Sequence, residues 1–196
     1  KRRYMGQVWK ESRPVISGDP VWKYLWNRCG MDALPLLQHV RFHPALKHSV
    51  SGEVHPAMIA GMGWDGKKFS GIHRTYLAED GRKASVDPVK MTLGGLGVIQ
   101  LGPCSEELGI AEGIETAICA SKRFGIPVWA AGCAGALEAL EPPNGVKRVL
   151  VAADNDESFT GQASAFTLAR RLRLLGIEVE VRIPDRVGSD WADFNG

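Results

Sequence analysis

The chain has 196 residues, 44% of them hydrophobic and 23% charged, with a formal net charge of +2. That is enough for one sizeable core, or one core with a smaller appended subdomain, and the composition is that of an ordinary globular protein. So slight a charge excludes any argument for nucleic-acid binding from bulk basicity, and only the local distribution of charge can carry one.

The four cysteines, Cys29, Cys104, Cys119 and Cys133, form no Cys-x-x-Cys pair. This argues against a zinc ribbon and, with their apolar neighbours, for free thiols in a reducing cytoplasm. No apolar run approaches the ~20 residues of a membrane span, and the basic start KRRYMGQVWK lacks the apolar segment of a signal peptide. A chain that begins with Lys and ends with Asp-Phe-Asn-Gly reads as a piece of a longer polypeptide.

Residues 1–18 show no clear period and read as a loose lead-in. Asp19-Pro20 predicts a helix start, a capping carboxylate followed by proline at the first helical position, with VWKYLWNRC running to Gly30. Trp22 and Trp26, four apart, share a face. Residues 31–50, with Pro35, Pro44, His39, His43 and His48, read as irregular. These histidines and His55 lack zinc-site spacing and read as loop or core residues.

PAMIAGMGW (56–64) predicts a strand turned by Asp65-Gly66, and KFSGIHRTYLAED (68–80) a second, turned by Asp80-Gly81. LGGLGVIQLG (93–102) predicts a further strand after a glycine-rich bend. Together these give a small antiparallel sheet. Cations recur through this half, at Arg41, Lys47, Lys67, Lys68, Arg74, Arg82, Lys83 and Lys90.

After Pro103 strand and helix alternate. ELGIAE, PVWAAG, VKRVLVAAD and IEVEVRIP read as strands. IETAICASKRFG, AGALEALE and SFTGQASAFTLARRLRLLG read as helices. The last carries a stripe of Phe166, Ala169, Leu172 and Leu175 or their near neighbours, with Arg170, Arg171 and Arg173 around the rest. Such alternation implies right-handed crossovers and a parallel sheet, whose ligands sit at the carboxyl ends of its strands.

Acidic residues fall at those ends. Glu112 closes its strand before Gly113 and reads as a metal ligand or as a helix-capping carboxylate. Glu115 reads as a solvated first-turn glutamate rather than a second ligand. Asp154 and Asp156, two apart after VLVAA, can point the same way in an extended strand; the competing reading is a turn. Asp190 and Asp193 form either a further ligand cluster or an exposed tail. Carboxylates that converge repel one another, and the usual reason to gather them is a hard divalent cation that also holds phosphates.

His73, Arg74 and Thr75 lie on a predicted strand, His73 and Thr75 on one face and Arg74 on the other. Arg74 reads as a phosphate fork or as a surface arginine. Lys90 and the glycine-rich segment behind it could hold a nucleic-acid backbone or a triphosphate, although no Walker-type motif is present. No nucleophile triad is evident, and none of Tyr4, Tyr24 and Tyr76 has a motif marking it as a covalent nucleophile.

Residues 108–196 resemble the Toprim domain shared by bacterial-type primases, type IA and type II topoisomerases and certain nucleases. Glu112-Gly113 fits the family's glutamate motif, Asp154-Asn155-Asp156 its D-x-D motif and Asp190 its later acidic position, whereas Glu115 stands where replicative primases often carry aspartate. YLWNRCGM, VRFHPAL, PAMIAGM, GIHRTYL, DGRKA and KMTLGG resemble the region leading into Toprim primases of phages, plasmids and integrated elements.

The resemblance implies an α/β fold: a C-terminal Toprim-type parallel sheet flanked by helices (104–196), a smaller N-terminal α+β subdomain with antiparallel strands (19–103), and the lead-in 1–18. It implies a cytoplasmic DNA primase, a nucleotidyltransferase making RNA primers on single-stranded DNA from nucleoside triphosphates. Glu112, Asp154 and Asp156 would be catalytic. With Asp190 they would hold Mg²⁺ or Mn²⁺, and Arg74, Lys90, His73 and Lys83 would contact nucleic acid or nucleotide. It further implies a zinc-binding region or helicase domain elsewhere in the full-length protein, no zinc in this chain, and no membrane partner. A Toprim nuclease and a non-catalytic nucleic-acid-binding module are the competing readings. A topoisomerase is disfavoured, since its covalent tyrosine sits in another large domain.

Overall fold

The computed structural model describes every residue except Met31, Asp32, Asp65, Lys67, Asn195 and Gly196. Asp65 of the expected turn and the cation Lys67 thus lie outside the described residues. The chain divides into two units, Lys1–Leu96 and Gly97–Gly196.

The first unit is built on an antiparallel sheet of β1 (Arg13–Pro14), β2 (Val40–Lys47), β3 (Val54–Met62), β4 (Gly71–Tyr76) and β5 (Lys90–Gly94), side by side in chain order. Two helices accompany it, α1 (Arg2–Glu11) and α2 (Pro20–Cys29). α2 forms as its sequence predicts. Asp19 Oδ1 accepts the Trp22 N–H at 2.8 Å and Oδ2 accepts the Ile16 N–H at 2.9 Å. Gly30 ends the helix at φ 60°, a left-handed conformation that glycine adopts without a Cβ penalty. Trp22 and Trp26 stack with centroids 5.0 Å apart.

Three expectations for this unit are corrected. Residues 2–11 are not a loose lead-in. They form α1, which buries Val8, with Met5 and Trp9, against Ile59, Ile72 and Tyr76 of the sheet. Three apolar positions among seven polar or small ones are too thin a stripe to register as a period. Residues 40–47 are not irregular. They form β2 despite Pro44, because the register slips between His43 and Leu46 and spares the proline a ladder hydrogen bond it cannot donate. The strand placed at 93–102 lies earlier, at β5, paired with β4 from Lys90 opposite Thr75 to Gly94 opposite Gly71.

The pairing registers sort the side chains of this sheet. Arg41, Ile59, Arg74 and Met91 form one row across β2 to β5, and His43, Ala57 and Tyr76 form part of the next row on that face. That face carries the core cluster covered by α1.

The second unit holds a four-stranded parallel sheet. Its strands are β6 (Glu107–Ala111), β7 (Val128–Ala130), β8 (Arg148–Ala152) and β9 (Glu178–Arg182), in the order β7-β6-β8-β9. α3 (Ile114–Phe124), α4 (Ala134–Glu138) and α5 (Thr160–Leu174) connect them. Leu108, Ile110, Val149 and Val151 are fully buried, as the apolar runs require of a sheet covered on both faces. The chain leaves β6 for β7 on one side, then crosses to β8 on the other, so strand order reverses at β6.

α5 buries Leu172 of the predicted stripe, with near neighbours in place of Phe166 and Leu175. Ala165, Leu168 and Leu172 are buried with Gly161, while Phe166 and Leu175 are exposed. The inward face is small, with Gly161 and Ala165 at its start, and so carries little hydropathy signal. The last described segment is a 3₁₀ turn, Trp191–Asp193.

The chain is therefore α/β, with a helix-flanked parallel sheet in one unit and an antiparallel sheet in the other, as the sequence predicts. None of the four cysteines is in a disulfide. No helix among the described residues is long and apolar enough to cross a membrane.

Candidate functional site

β6 and β8 pair in parallel from Glu107 opposite Arg148 to Ala111 opposite Ala152. Glu112 is thus one residue past the end of its strand and Asp154 two past the end of the neighbouring one, where strand order reverses. In open α/β sheets this is the position of the ligand crevice. The opposite end of the same strands is zipped by charge. Arg148 reaches Glu107 at 2.9 Å, Glu180 at 2.8 Å and Glu178 at 3.7 Å.

Glu112 is half-buried, and its carbonyl accepts the Gly132 N–H at 2.8 Å. Gly113 caps α3. A Cβ there would come within 3.2 Å of Thr116 Oγ1 and 3.3 Å of Glu115 Oε2. Glu115 is not a solvated glutamate but is 5% exposed, its carboxylate folded back over the positive start of its helix.

Asp154 and Asp156 lie in a loop after β8 rather than on the strand. Asn155 pins that loop. Its N–H donates to Ser189 O at 2.9 Å, its carbonyl accepts from Gly188, and Nδ2 donates to Pro184 O at 2.7 Å. Oδ1 accepts from Gln162 Nε2 at 2.8 Å. The spacer residue, which the sequence marked only as the middle of the D-x-D motif, is the one that positions both aspartates. It also brings Ser189, and with it Asp190, beside the loop.

Asp156 Oδ2 accepts the Gly161 N–H at 2.9 Å, so this aspartate anchors the first turn of α5. Gly161 is required there, since a Cβ would lie 2.8 Å from Asp154 O and 3.0 Å from Asp156 Oδ2. Phe159 takes φ 61° and is 70% exposed, an aromatic in a conformation that L-residues adopt at a cost of roughly 1–2 kcal/mol. Asp190 and Asp193 cap their own turn: Asp190 Oδ1 accepts from Ala192 N–H and Asp193 Oδ2 from Asp190 N–H at 3.1 Å.

Among the described residues, no three His, Cys, Asp or Glu side chains are gathered closely enough to hold a metal ion as they stand. The donor set nonetheless fits magnesium. Glu112 and Asp154 are hard carboxylates on neighbouring strand ends, and this ion needs only one or two such ligands when phosphates and water complete its shell.

The predicted basic residues do not share one surface. Arg74 is 4% exposed, on the face with Ile72 and Tyr76. Its Nη1 lies 3.5 Å from Tyr76 Oη, and its Nε is buried without a hydrogen-bond partner. Burial raises the Tyr76 pKa, and the Arg74 charge pulls the other way. His73 is buried on the opposite face, in the row of Ala60 and Thr92. Lys90, opposite Thr75, is half-buried, and Lys83 is exposed at a bridge to Leu77.

This architecture is similar to that of solved primase catalytic cores. Residues 107–196 match the family model described as Toprim domain. The DnaG catalytic core superposes with a TM-score of 0.61 at 12% identity, over 98% of this chain and 72% of that one. The zinc-binding and RNA polymerase domains of the Aquifex aeolicus primase give 0.59 at 14%, over 88% of this chain and 51% of that one. The primase fragment of the bacteriophage T7 primase-helicase gives 0.57 at 13%, over 96% and 71%. At such identities the likeness is one of fold, and the chain spans about half the length of the Aquifex chain. No curated protein matches this chain by sequence. Residues 1–100 match the model described as Domain of unknown function (DUF7146), and the chain belongs to that family.

Proposed function

We propose that this chain is the catalytic core of a primase-type nucleotidyltransferase, which joins nucleoside triphosphates into short RNA primers on single-stranded DNA. Residues 104–196 act as its Toprim domain and 19–103 as its primase-type subdomain. The observation that carries this reading is the register of Ala111 opposite Ala152, which ends two neighbouring parallel strands on Glu112 and Asp154 at the reversal of strand order.

Glu112 and Asp154 would hold Mg²⁺, or Mn²⁺ in its place, with Asp156 and Asp190 beside them. Magnesium bound there would neutralise triphosphate charge and lower the pKa of the attacking 3′-hydroxyl. The chain's own part is positioning. Asn155 fixes the loop, Asp156 ties it to α5, and Gly161 allows the close approach between them. In the first unit Lys83 and Lys90 serve template or triphosphate contacts, and His73 and Arg74 support them from within the sheet. The likeness to a zinc-binding primase and to a phage primase-helicase supports a zinc-binding or helicase region in the full-length, cytoplasmic protein.

The test is Asp154→Asn, assayed for primer synthesis on single-stranded template. Synthesis should fall on the order of 100-fold or more, the scale set by losing one electrostatic stabiliser of a transition state. Unchanged synthesis would remove the carboxylates from the mechanism. Metal-dependent cleavage of DNA without any primer product would turn the assignment toward a nuclease.

A further inference from the structure

The first unit contains a cavity of about 500 Å³, within the usual range for ligand pockets, that no part of the proposed chemistry uses. Four of its lining residues carry rings. Phe69 sits at the centre, with its centroid 4.6 Å from Trp9, 4.9 Å from Trp64 and 5.3 Å from His39. His39 lies 5.4 Å from Trp64. Arg2 and Lys68, both exposed, complete the lining.

The rings are held in place before any ligand arrives. Arg41 lies 5.2 Å from the Trp9 centroid and is itself fixed by donating to Ser12 O at 2.6 Å. Phe69 lies on bare backbone of β3: any side chain at Gly61 would strike its ring. Among these rings one polar atom stands out. His39 Nδ1 is buried with no hydrogen-bond partner. Burial lowers the His39 pKa, so the ring is neutral near pH 7 and Nδ1 can meet either a donor or an acceptor according to tautomer.

Flat apolar walls, one unsatisfied polar atom and two cations at the lining describe the surroundings of an unpaired base with its phosphates. A base offers two π-faces and a hydrogen-bonding edge, and its neighbouring phosphates need cations. The charge of α1 agrees, since Lys1 caps it, Arg2 and Arg3 open it, and it carries no acid in its first turn. An apolar peptide would leave the His39 nitrogen unmet.

We propose that this cavity takes an unpaired base of single-stranded DNA, stacked against Trp64 and Phe69, with the flanking phosphates on Arg2 and Lys68. The proposal deepens the single-stranded template reading. Its test omits nucleotides and chelates metal, so that its failure and the failure of primer synthesis can be told apart.

The experiment follows the anisotropy of a labelled oligothymidylate, together with tryptophan emission, on adding the whole chain in EDTA. Binding should quench tryptophan emission, and Trp64→Leu should weaken it about tenfold, the scale of one base–aromatic stack. Arg2→Gln combined with Lys68→Gln touches only exposed side chains and should reduce the salt slope by roughly 0.7 for each cation removed. The proposal is overturned if the oligonucleotide does not bind. It is equally overturned if both altered chains bind it unchanged, or if duplex DNA of equal length binds as tightly with the same quenching.

Discussion

The two sheets of this protein handle polar residues in opposite ways. In the parallel sheet the strand interiors are apolar, and Glu112, Asp154 and Asp156 stand beyond the strand ends, in loops. In the antiparallel sheet His43, His73, Arg74 and Thr75 sit inside the strands and are buried there. Polar groups on loops stand outside the strand ladder, whereas these polar groups inside strands are taken up in packing. In the first unit the cavity proposed to take a base is lined partly by the covering helix α1.

That contrast can be broken experimentally. The largest expected effect is on activity. Asp154→Asn should abolish most primer synthesis yet leave the urea midpoint where it was, because the residue lies outside the strand ladder.

Next come substitutions within the strands. Gly71→Ala would drive a Cβ into the carbonyl oxygen of Gly95, which is backbone and cannot swing aside, and should cost about 3 kcal/mol in urea unfolding. Gly109→Ala in β6 meets the Val128 side chain, its Cβ at 3.1 Å as well as its methyls, which can give slightly where a backbone carbonyl cannot, and should cost less, about 1 kcal/mol. Equal costs would mean that β4 has more freedom than its packing indicates.

Between these falls Asn155→Ala. It takes the Asn155 donor from Pro184 O and one of two acceptors from Gln162 Nε2, which keeps Asp156 O, and should cost about 2 kcal/mol. Primer synthesis should fall too, through the two aspartates it positions. Loss of stability with full activity would show that the loop's anchoring is separate from the chemistry.

The smallest effect concerns pH. Burial lowers the folded-state pKa of His39 below its ordinary value of 6.5, so the unfolded chain binds the proton more readily. The stability this residue contributes is present above pH 6.5 and is lost as pH falls through and below that value. Urea midpoints at about pH 7.5 and about pH 5.5 should converge slightly in His39→Gln relative to the unaltered chain. An identical pH slope in both would place the His39 ring in contact with water.

Much of the second unit was legible because its signals are local. Each strand is an apolar run a few residues long, each helix begins or ends on a recognisable residue, and Glu112 and Asp154 mark strand ends by position alone. The same holds for α2, whose cap and stop lie within its own segment. β2 was hidden because Pro44 argues against a strand, and only pairing with β3 reveals the bulge that accommodates it. α1 was hidden because its few apolar residues acquire meaning only against the sheet they cover.

The sequence by itself determined the strand–helix rhythm of residues 107–182, the acids that close its strands and the capped helix at Pro20–Cys29, since each depends on contacts within a few residues. Tertiary structure decided that Glu115 and Arg74 are buried, that Asn155 holds the aspartate loop, and that Trp9, Trp64, Phe69 and His39 enclose one cavity. Those outcomes depend on which distant segments pack together, and burial is a property of neighbours that no local pattern of residues encodes.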